Sequence, residues 1–122
     1  MSKCRRAFLS GPVSGLDYVD AVVAFHGALR WCAKIGFGEG FVPVDEVPRD
    51  ATHAEAMRRC IRELTEYDVA IREGGCGDPV PHYDLLVSLP GWEASEGATL
   101  ERQVAEAVGI PCVELGELGG GE

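Results

Sequence analysis

The amino-acid sequence predicts a single α/β domain in which a four-stranded parallel sheet carries helices on both faces. Strand-like and helix-like segments alternate along the chain, and this order is typical of parallel sheets with right-handed crossovers. Residues 83–90 form a nearly continuous apolar run, as expected for a strand that is covered on both faces. The chain has 122 residues, 46% of them hydrophobic, which suits one domain with its own core.

The first strand and helix are predicted from a short apolar run and a periodic one. Residues 5–10 read as a strand that ends in the turn GPVSG, because glycine and proline punctuate it. A helix capped by Asp17 then runs to about residue 35, since its apolar residues recur at spacings of three and four.

The second strand and helix are followed by a segment of ambiguous composition. Residues 40–44 read as the strand, and Thr52 and Glu55 have the spacing of a capping box that begins a helix reaching about residue 67. Residues 69–82 contain three glycines and two prolines. They predict a loop or a loose hairpin, and we favour a mobile surface loop.

The last third of the chain predicts two more strands around one helix. Residues 83–90 are the third strand, a helix runs from near Ser95 to Gly109, and residues 110–115 are the fourth strand. Residues 116–122 read as a flexible glycine-rich tail, so the predicted domain comprises residues 1–115.

The order of these elements predicts where a ligand would bind. The expected strand order is 2-1-3-4, which gives a small flavodoxin-like (Rossmann-like) three-layer sandwich. Such sheets bind ligands outside the carboxyl ends of the strands where the winding direction reverses, here between the first and third strands. The loops that leave those strands are SGPVSG and PGWEAS, so we expect these two unusual stretches to meet at the site.

The charge and hydropathy of the chain exclude some classes of partner. The formal net charge is −9, which argues against a nucleic-acid polymer or an anionic membrane as partner. It permits a small anionic ligand, because a few local amides can hold one. No segment approaches the roughly 20 apolar residues of a membrane span, and the start of the sequence does not have the pattern of a signal peptide.

The cysteines and histidines give little support for a metal site or a hydrolase triad. There are five cysteines and no CxxC pair, which favours a cytoplasmic protein with reduced thiols. A zinc site at Cys76 and His82 lacks paired ligand spacing. His26 and His53, like His82, pair with no evident nucleophile. We therefore predict no metal and no cofactor.

Glu101 is the candidate catalytic residue. It lies roughly one and a half turns into the third helix, whose predicted buried side consists of Leu100, Val104 and Val108. If those three residues face the core, Glu101 lies near the boundary of the buried face of the helix. It is either a solvated residue stabilised by the helix dipole or a carboxylate directed at the crevice.

Four residues around the start of this helix are candidate binding residues. Ser95 is either a helix cap or, together with the N–H groups of Gly97 and Ala98, a cradle for a phosphate. Trp92 is either a packing residue or a platform that stacks on a flat ring.

The first loop supplies the remaining candidates for substrate binding: Ser10, Gly11, Pro12, Ser14 and Gly15. These residues either form a simple turn or present backbone amides to a ligand. Their pattern is neither a P-loop nor the G-x-G-x-x-G dinucleotide fingerprint.

Three stretches carry a resemblance to a known group of proteins: FLSGPVSG, AMRRCIRELTEYD and LLVSLPGWEASEGATLE. They resemble an uncharacterised domain family that belongs with the nucleoside 2-deoxyribosyltransferase-like proteins. The resemblance covers roughly residues 6–115, and its most specific part is the run W-x-x-S-x-G-A-x-x-E.

The resemblance implies an N-glycosidic-bond enzyme. Glu101 would attack the anomeric carbon of a ribosyl or deoxyribosyl ring, a base would leave, and water or a second base would resolve the ester. Ser95 matches a serine that contacts phosphate in relatives acting on nucleoside 5′-monophosphates, so a nucleotide is the favoured substrate. A homodimer or larger homo-oligomer is also implied.

One residue departs from this resemblance. Cys60 stands where many members have an aspartate that helps to hold the sugar or the base, and a protonated thiol does not replace a carboxylate in that role. Two alternatives therefore stay open: a non-catalytic nucleotide-binding module of the same fold, and an interaction protein with a vestigial pocket.

Overall fold

The computed structural model describes residues 5–13, 17–71, 73–75 and 77–119. Short 3₁₀ helices at Trp92–Ala94 and Leu115–Leu118 accompany the regular elements. In chain order, the strands and helices are β1 (Arg5–Ser10), α1 (Tyr18–Lys34), β2 (Phe37–Phe41), α2 (Pro43–Glu46), α3 (His53–Leu64), β3 (Tyr67–Ile71), β4 (Gly77–Pro81), β5 (Leu85–Ser88), α4 (Glu96–Ala107) and β6 (Cys112–Glu114).

A four-stranded parallel sheet in the order β2-β1-β5-β6 forms the centre of the protein. The predicted α/β class and the parallel sheet are therefore confirmed. The order differs from the predicted 2-1-3-4 because β3 and β4 form a separate antiparallel pair. The third and fourth members of the sheet are consequently the fifth and sixth strands of the chain.

Helices cover the two faces of this sheet, because successive residues of a strand point to opposite sides. Ala7 and Leu9 of β1 share one apolar cluster with Phe25 of α1. Phe8, between them, belongs to a second cluster with Leu64 of α3, among others. The rings of Phe8 and Phe41 stack in that cluster with centroids 4.9 Å apart.

The second strand lies three residues earlier than predicted. Gly36 has a φ of 109°, a left-handed conformation that suits glycine and ends α1 abruptly. The strand follows at once, at Phe37. Pro43 then begins the short helix α2, because proline is favoured in the first helical turn, where its missing N–H has no partner to lose.

The segment predicted as a mobile loop is instead largely the β3–β4 hairpin, in which Tyr67 pairs with Pro81 and Ile71 with Gly77. The two prolines of this hairpin lie in β4. A two-stranded sheet has two open outer edges, and proline fits at a position whose N–H would point outward, away from the partner strand. Cys76, which the sequence analysis considered and set aside as a zinc ligand, lies outside the described residues.

The end of the described chain is anchored to α1. The Nε1–H of Trp31 donates a hydrogen bond of 2.8 Å to the carbonyl of Leu118, and Leu118 packs against the apolar cluster on that face. The predicted flexible tail began at residue 116, whereas residues 115–118 form a 3₁₀ helix. Residues 120–122 lie outside the described part.

Replacing Trp31 by phenylalanine tests this anchor. Trp31→Phe keeps an aromatic ring but removes the donor to Leu118, so the free energy of unfolding is expected to fall by about 1 kcal/mol. Urea denaturation gives this value, and limited proteolysis should show earlier cleavage near residue 118. Unchanged stability and cleavage would mean that the C-terminal turn is not held by this bond in solution.

None of the helices in the described ranges has both the length and the apolar character needed to cross a membrane.

Candidate active site

Glu101 lies at the centre of the buried face of α4. The buried residues of this helix are Ala98, Glu101 and Ala105, and Glu101 is only 6% exposed. The predicted buried face was wrong for Leu100 and Val108, which are 44% and 40% exposed, whereas Val104 is partly buried against the apolar cluster of Phe8 and Leu64. Small alanine side chains allow the helix to approach its neighbours closely. A prediction that places the larger leucine and valine side chains on the buried face does not identify a face made of alanines.

The carboxyl group of Glu101 points to the end of the first strand. The Ser10 hydroxyl, itself fully buried, donates a hydrogen bond of 2.6 Å to Glu101 Oε1. Ser10 is the last residue of β1 and stands in register with Ser88, the last residue of β5. The carboxyl group thus lies at the edge of the sheet where the topology predicts a ligand crevice.

Cys60 of α3 is 3% exposed and is one of the neighbours that affect the pKa of Glu101. Burial raises the pKa of Glu101, although the hydrogen bond from Ser10 and the neighbouring Cys60 and His53 act in the opposite direction. Burial also raises the pKa of the Cys60 thiol, and the negative charge of Glu101 raises it further. The thiol is therefore protonated at neutral pH, and Glu101 has no cationic hydrogen-bond partner among the described residues: it is held by the neutral hydroxyl of Ser10.

Helix α3 forms the second wall of the site. His53, Met57 and Cys60 are spaced four and three residues apart, which puts them on one face of the helix. That face meets the start of α4. A Cβ atom added to Gly97 would lie 3.1 Å from Met57 Sδ and 3.6 Å from His53 Cε1. Gly97 therefore lets the two helices approach each other closely beside Glu101.

Ser95 and Trp92 both have structural partners. The Ser95 hydroxyl accepts a hydrogen bond of 3.2 Å from the backbone N–H of Ala98 and so caps α4. The Trp92 ring packs against the guanidinium group of Arg102, 4.5 Å from its centroid, and its Nε1–H donates to Glu114 at 3.2 Å. Contacts of Ser95 or Trp92 with a ligand remain predictions.

The two loops that were expected to meet are in contact. A Cβ atom on Gly11 would lie 2.8 Å from Leu89 Cβ, so only glycine fits there without a shift. Pro12 Cγ lies 3.4 Å from the Cβ position of Gly91, whose φ is 88°. Ser14 and Gly15, the other candidates in the first loop, lie outside the described residues.

Arg102 joins the site and was missed by the sequence reasoning. Its Nη1–H donates a hydrogen bond of 3.2 Å to Ser88 Oγ. Two neighbouring strands thus end in serines that bind consecutive residues of α4, Ser10 to Glu101 and Ser88 to Arg102. The sequence feature that could have indicated this arrangement is a serine at the end of each of the two apolar strands, Ser10 in β1 and Ser88 in β5.

Of the cavities lined by described residues, one borders this cluster and another lies apart from it. One, of about 380 Å³, opens at the carboxyl ends of β5 and β6 and reaches the cluster through Ser88; the others lining it are Pro90, Glu114, Leu115, Gly116 and Glu117. A larger one, of about 420 Å³, is bounded by Arg6, Arg59, Glu63 and Tyr83, among others, and contains none of the predicted site residues. Over the ranges described, no three or more His, Cys, Asp or Glu side chains gather as metal ligands would.

The raised pKa of Glu101 predicts a stability that depends on pH. A carboxyl group whose pKa is raised in the folded state does not destabilise the protein at a pH below its ordinary pKa, where it is protonated. Its burial lowers the free energy of unfolding as the pH rises through the folded-state pKa. Glu101→Gln, which stays neutral, is therefore expected to be more stable than wild type above pH 7, by roughly 0.5–2 kcal/mol. The two proteins should converge near pH 4.

Urea denaturation at several pH values measures this difference, with Glu106→Gln on the exposed side of the same helix as the matched control. A Glu101→Gln protein that is less stable than wild type at pH 8 would identify the carboxylate as a structural group, and the catalytic role would then be abandoned.

Comparison with known proteins gives one partial match. Residues 76–114 match a family model described as a domain of unknown function, DUF4406. The matched segment contains Ser88, Ser95 and Glu101 but neither Ser10 nor Cys60. No curated protein and no solved structure matches the chain.

Proposed function

We propose that this chain is an enzyme of the nucleoside 2-deoxyribosyltransferase-like superfamily that cleaves the N-glycosidic bond of a nucleoside 5′-monophosphate, with Glu101 as the nucleophile. The observation that carries the proposal is a carboxyl group, 6% exposed, at the carboxyl edge of a parallel sheet. Its hydrogen-bond partner is the hydroxyl of Ser10, and the buried thiol of Cys60 is a neighbour that affects its pKa. A buried acid held by neutral groups destabilises a fold, and such perturbed acids cluster at functional sites.

The chemistry proceeds in two displacements. A carboxylate oxygen of Glu101 attacks the anomeric carbon, the bond from that carbon to the base nitrogen breaks, and the base leaves with the electron pair and takes a proton from solvent. A glycosyl ester of Glu101 results. Water then attacks the same carbon and loses a proton to solvent, the bond from that carbon to the ester oxygen breaks, and Glu101 is released as a carboxylate; a second base in place of water would give transfer.

Ser10 has a defined part in this scheme. Its hydroxyl donates to Glu101 Oε1 at 2.6 Å, and a hydrogen bond to the charged form favours ionisation. It thereby opposes the effect of burial, since an attacking carboxyl group must be ionised. Because Glu101 is 6% exposed, the substrate reaches it only after the side chains that cover it have moved.

The start of α4 is the proposed site for the phosphate. N–H groups in the first turn of a helix lack partners within the helix and favour anions. Here those of Glu96 and Gly97 would hold the phosphate, because the N–H of Ser95 donates to the carbonyl of Trp92 and that of Ala98 donates to Ser95 Oγ. Local amides of this kind hold a phosphate in spite of the net charge of −9. The resemblance further supports a homo-oligomer. The reduced thiols support a cytoplasmic location.

A second candidate function rests on Cys60. The resemblance implies an aspartate at this position, and the thiol is a buried neighbour that affects the pKa of Glu101. A site that lacks the aspartate fits a nucleotide-binding module that does not turn over its ligand.

Incubation with a panel of nucleosides and their 5′-monophosphates separates these functions, with free base followed by chromatography and melting temperature followed in parallel. Catalysis predicts base release, faster from a monophosphate than from its nucleoside. A raised melting temperature without base release identifies the binding module. Neither effect with any ligand overturns both proposals.

A further inference from the structure

We propose that the outer edge of β3 is an interaction surface through which two copies of this chain pair, strand against strand, about a two-fold axis at Val69. The hairpin of β3 and β4 has one open edge that is apolar and another that is blocked by prolines. The inference goes beyond the proposed function, and neither its argument nor its test depends on base release.

The β3–β4 hairpin stands apart from the main sheet. Among the described residues, its two strands pair only with each other. Polar contacts join it to the body of the protein: Asp68 Oδ2 accepts from Arg6 Nη1 at 3.4 Å, and Asp68 Oδ1 lies 3.0 Å from His82 Nδ1. A two-stranded hairpin alone is marginally stable in water, so a further strand would stabilise it.

The face of the hairpin opposite Asp68 is apolar. Tyr67, Val69 and Ile71 alternate with Asp68 and Ala70 along β3, which puts these three side chains on one face. They are 62%, 56% and 71% exposed. Contiguous exposed apolar side chains of this kind indicate a surface for a partner. Their cross-strand neighbours on the same face carry no charge: Pro81, Pro79 and Gly77.

The backbone of the same three residues points away from β4. The N–H of His82 donates to the carbonyl of Glu66 at 3.2 Å, and hydrogen-bonded pairs alternate with unbonded ones along an antiparallel ladder. In this register Asp68 and Ala70 bond to β4, and the three apolar residues between and beside them direct N–H and C=O outward. Within the described ranges these outward groups have no other backbone hydrogen bond.

The outer edge of β4 does not pair in the same way. Pro79 and Pro81 occupy its outward positions, where proline has no N–H to offer and obstructs a neighbouring strand. The hairpin therefore has one competent edge. Pairing of two such edges closes into a dimer and does not continue into a fibre.

The sequence of β3 fits an antiparallel copy of itself. In a pair centred on Val69, this residue stands opposite Val69 of the partner subunit, and Tyr67 stands opposite Ile71 of the partner subunit. The result is an apolar ladder with about six backbone hydrogen bonds. On the other face Asp68 stands opposite Ala70 of the partner subunit, so no two carboxylates face each other directly. This self-complementarity identifies a second copy as the occupant.

The proposed interface is small. Two paired edge strands bury less than the roughly 1,200 Å² of a standard interface, and the net charge of −9 opposes the approach of a second copy. We therefore expect a dimer with a Kd in the micromolar range, whose amount depends on protein concentration and rises with salt.

Charge-swapped variants test both the pairing and its register. Val69→Lys and Val69→Glu each put like charges opposite each other at the two-fold axis. Each alone should raise the dimer Kd at least about 10-fold, as measured by sedimentation velocity from about 5 to 500 μM protein. An equimolar mixture of the two variants pairs opposite charges and should return the Kd to within roughly 3-fold of wild type.

Val23→Lys and Val23→Glu are the matched controls, because Val23 on α1 is 63% exposed and lies in another part of the chain. They should leave the Kd unchanged. Circular dichroism checks that all four variants stay folded, as expected for substitutions at side chains that are more than half exposed.

Amide hydrogen exchange of the wild-type protein locates the surface without any substitution. The amides of Tyr67, Val69 and Ile71 should become protected as the protein concentration rises, whereas the outward amide of Gly77 on β4 should not. A protein that is monomeric at every concentration would leave the edge to another kind of partner and overturn the proposal. A dimer that neither Val69 variant weakens, or whose β3 amides exchange freely, would also overturn it. None of these results alters the expected release of base.

Discussion

Glu101→Gln is expected to abolish base release, with a loss of at least about 10³-fold in kcat. The amide has nearly the same shape as the carboxylate, and its oxygen still accepts the hydrogen bond from Ser10. Its oxygen is, however, too weak a nucleophile to form the glycosyl ester. Because the variant stays folded and gains stability at neutral pH, the loss should appear in turnover and not in the amount of native protein.

The matched control is Glu106→Gln on the same helix, where the side chain is 64% exposed and 3.8 Å from Arg102. It should keep nearly the full rate of base release. If Glu101→Gln retains more than about a tenth of wild-type turnover, then Glu101 is not the nucleophile, and the chemistry must be assigned to another group.

Ser10→Ala is expected to lower both stability and activity. It removes a donor at 2.6 Å from a carboxylate that is only 6% exposed, so the free energy of unfolding should fall by roughly 1–3 kcal/mol at pH 8. The loss should be smaller near pH 4, where Glu101 is protonated and no longer needs that donor. Turnover should fall about 10-fold or more, because less of the nucleophile is ionised and its orientation is lost.

A double-mutant cycle separates this effect from simple packing. Ser10→Ala combined with Glu101→Gln should show a coupling energy of at least about 0.5 kcal/mol at pH 8. Ser88→Ala is the matched comparison, because Ser88 is the register partner of Ser10 but binds Arg102. If both serine variants have the same pH dependence, or if the cycle shows no coupling, Ser10 does not act through the carboxylate.

The sequence was sufficient for the parts of the fold that depend on repeating patterns. Alternating apolar segments predicted the parallel sheet, and capping residues marked helix starts correctly: Asp17 accepts from the N–H of Val19, and Thr52 from that of Glu55. Local rules failed where a single residue changed the path of the chain. Pro43 turned the end of a predicted strand into α2, and the pairing of β3 with β4 depends on contacts between segments.

The site was predictable only in part, for a physical reason. Topology and resemblance singled out Glu101, but the phase of α4 was misjudged because its buried face is made of alanines and the glutamate itself. A charged residue at the centre of a buried face contradicts the hydrophobic pattern, and such local conflicts are expected at functional sites. Cys60 and Arg102 meet the site through packing between elements, which spacing along the chain does not reveal.

The most direct test of the central claim is to trap the ester on Glu101. The protein would be incubated with a nucleoside 5′-monophosphate whose sugar carries fluorine at C2′, which slows hydrolysis of a glycosyl ester, and then analysed by mass spectrometry of the intact chain and its peptides. The account predicts the release of one base and a mass increase of one sugar phosphate on the peptide that contains Glu101. Base release with no adduct, an adduct on another residue, or neither product would contradict it.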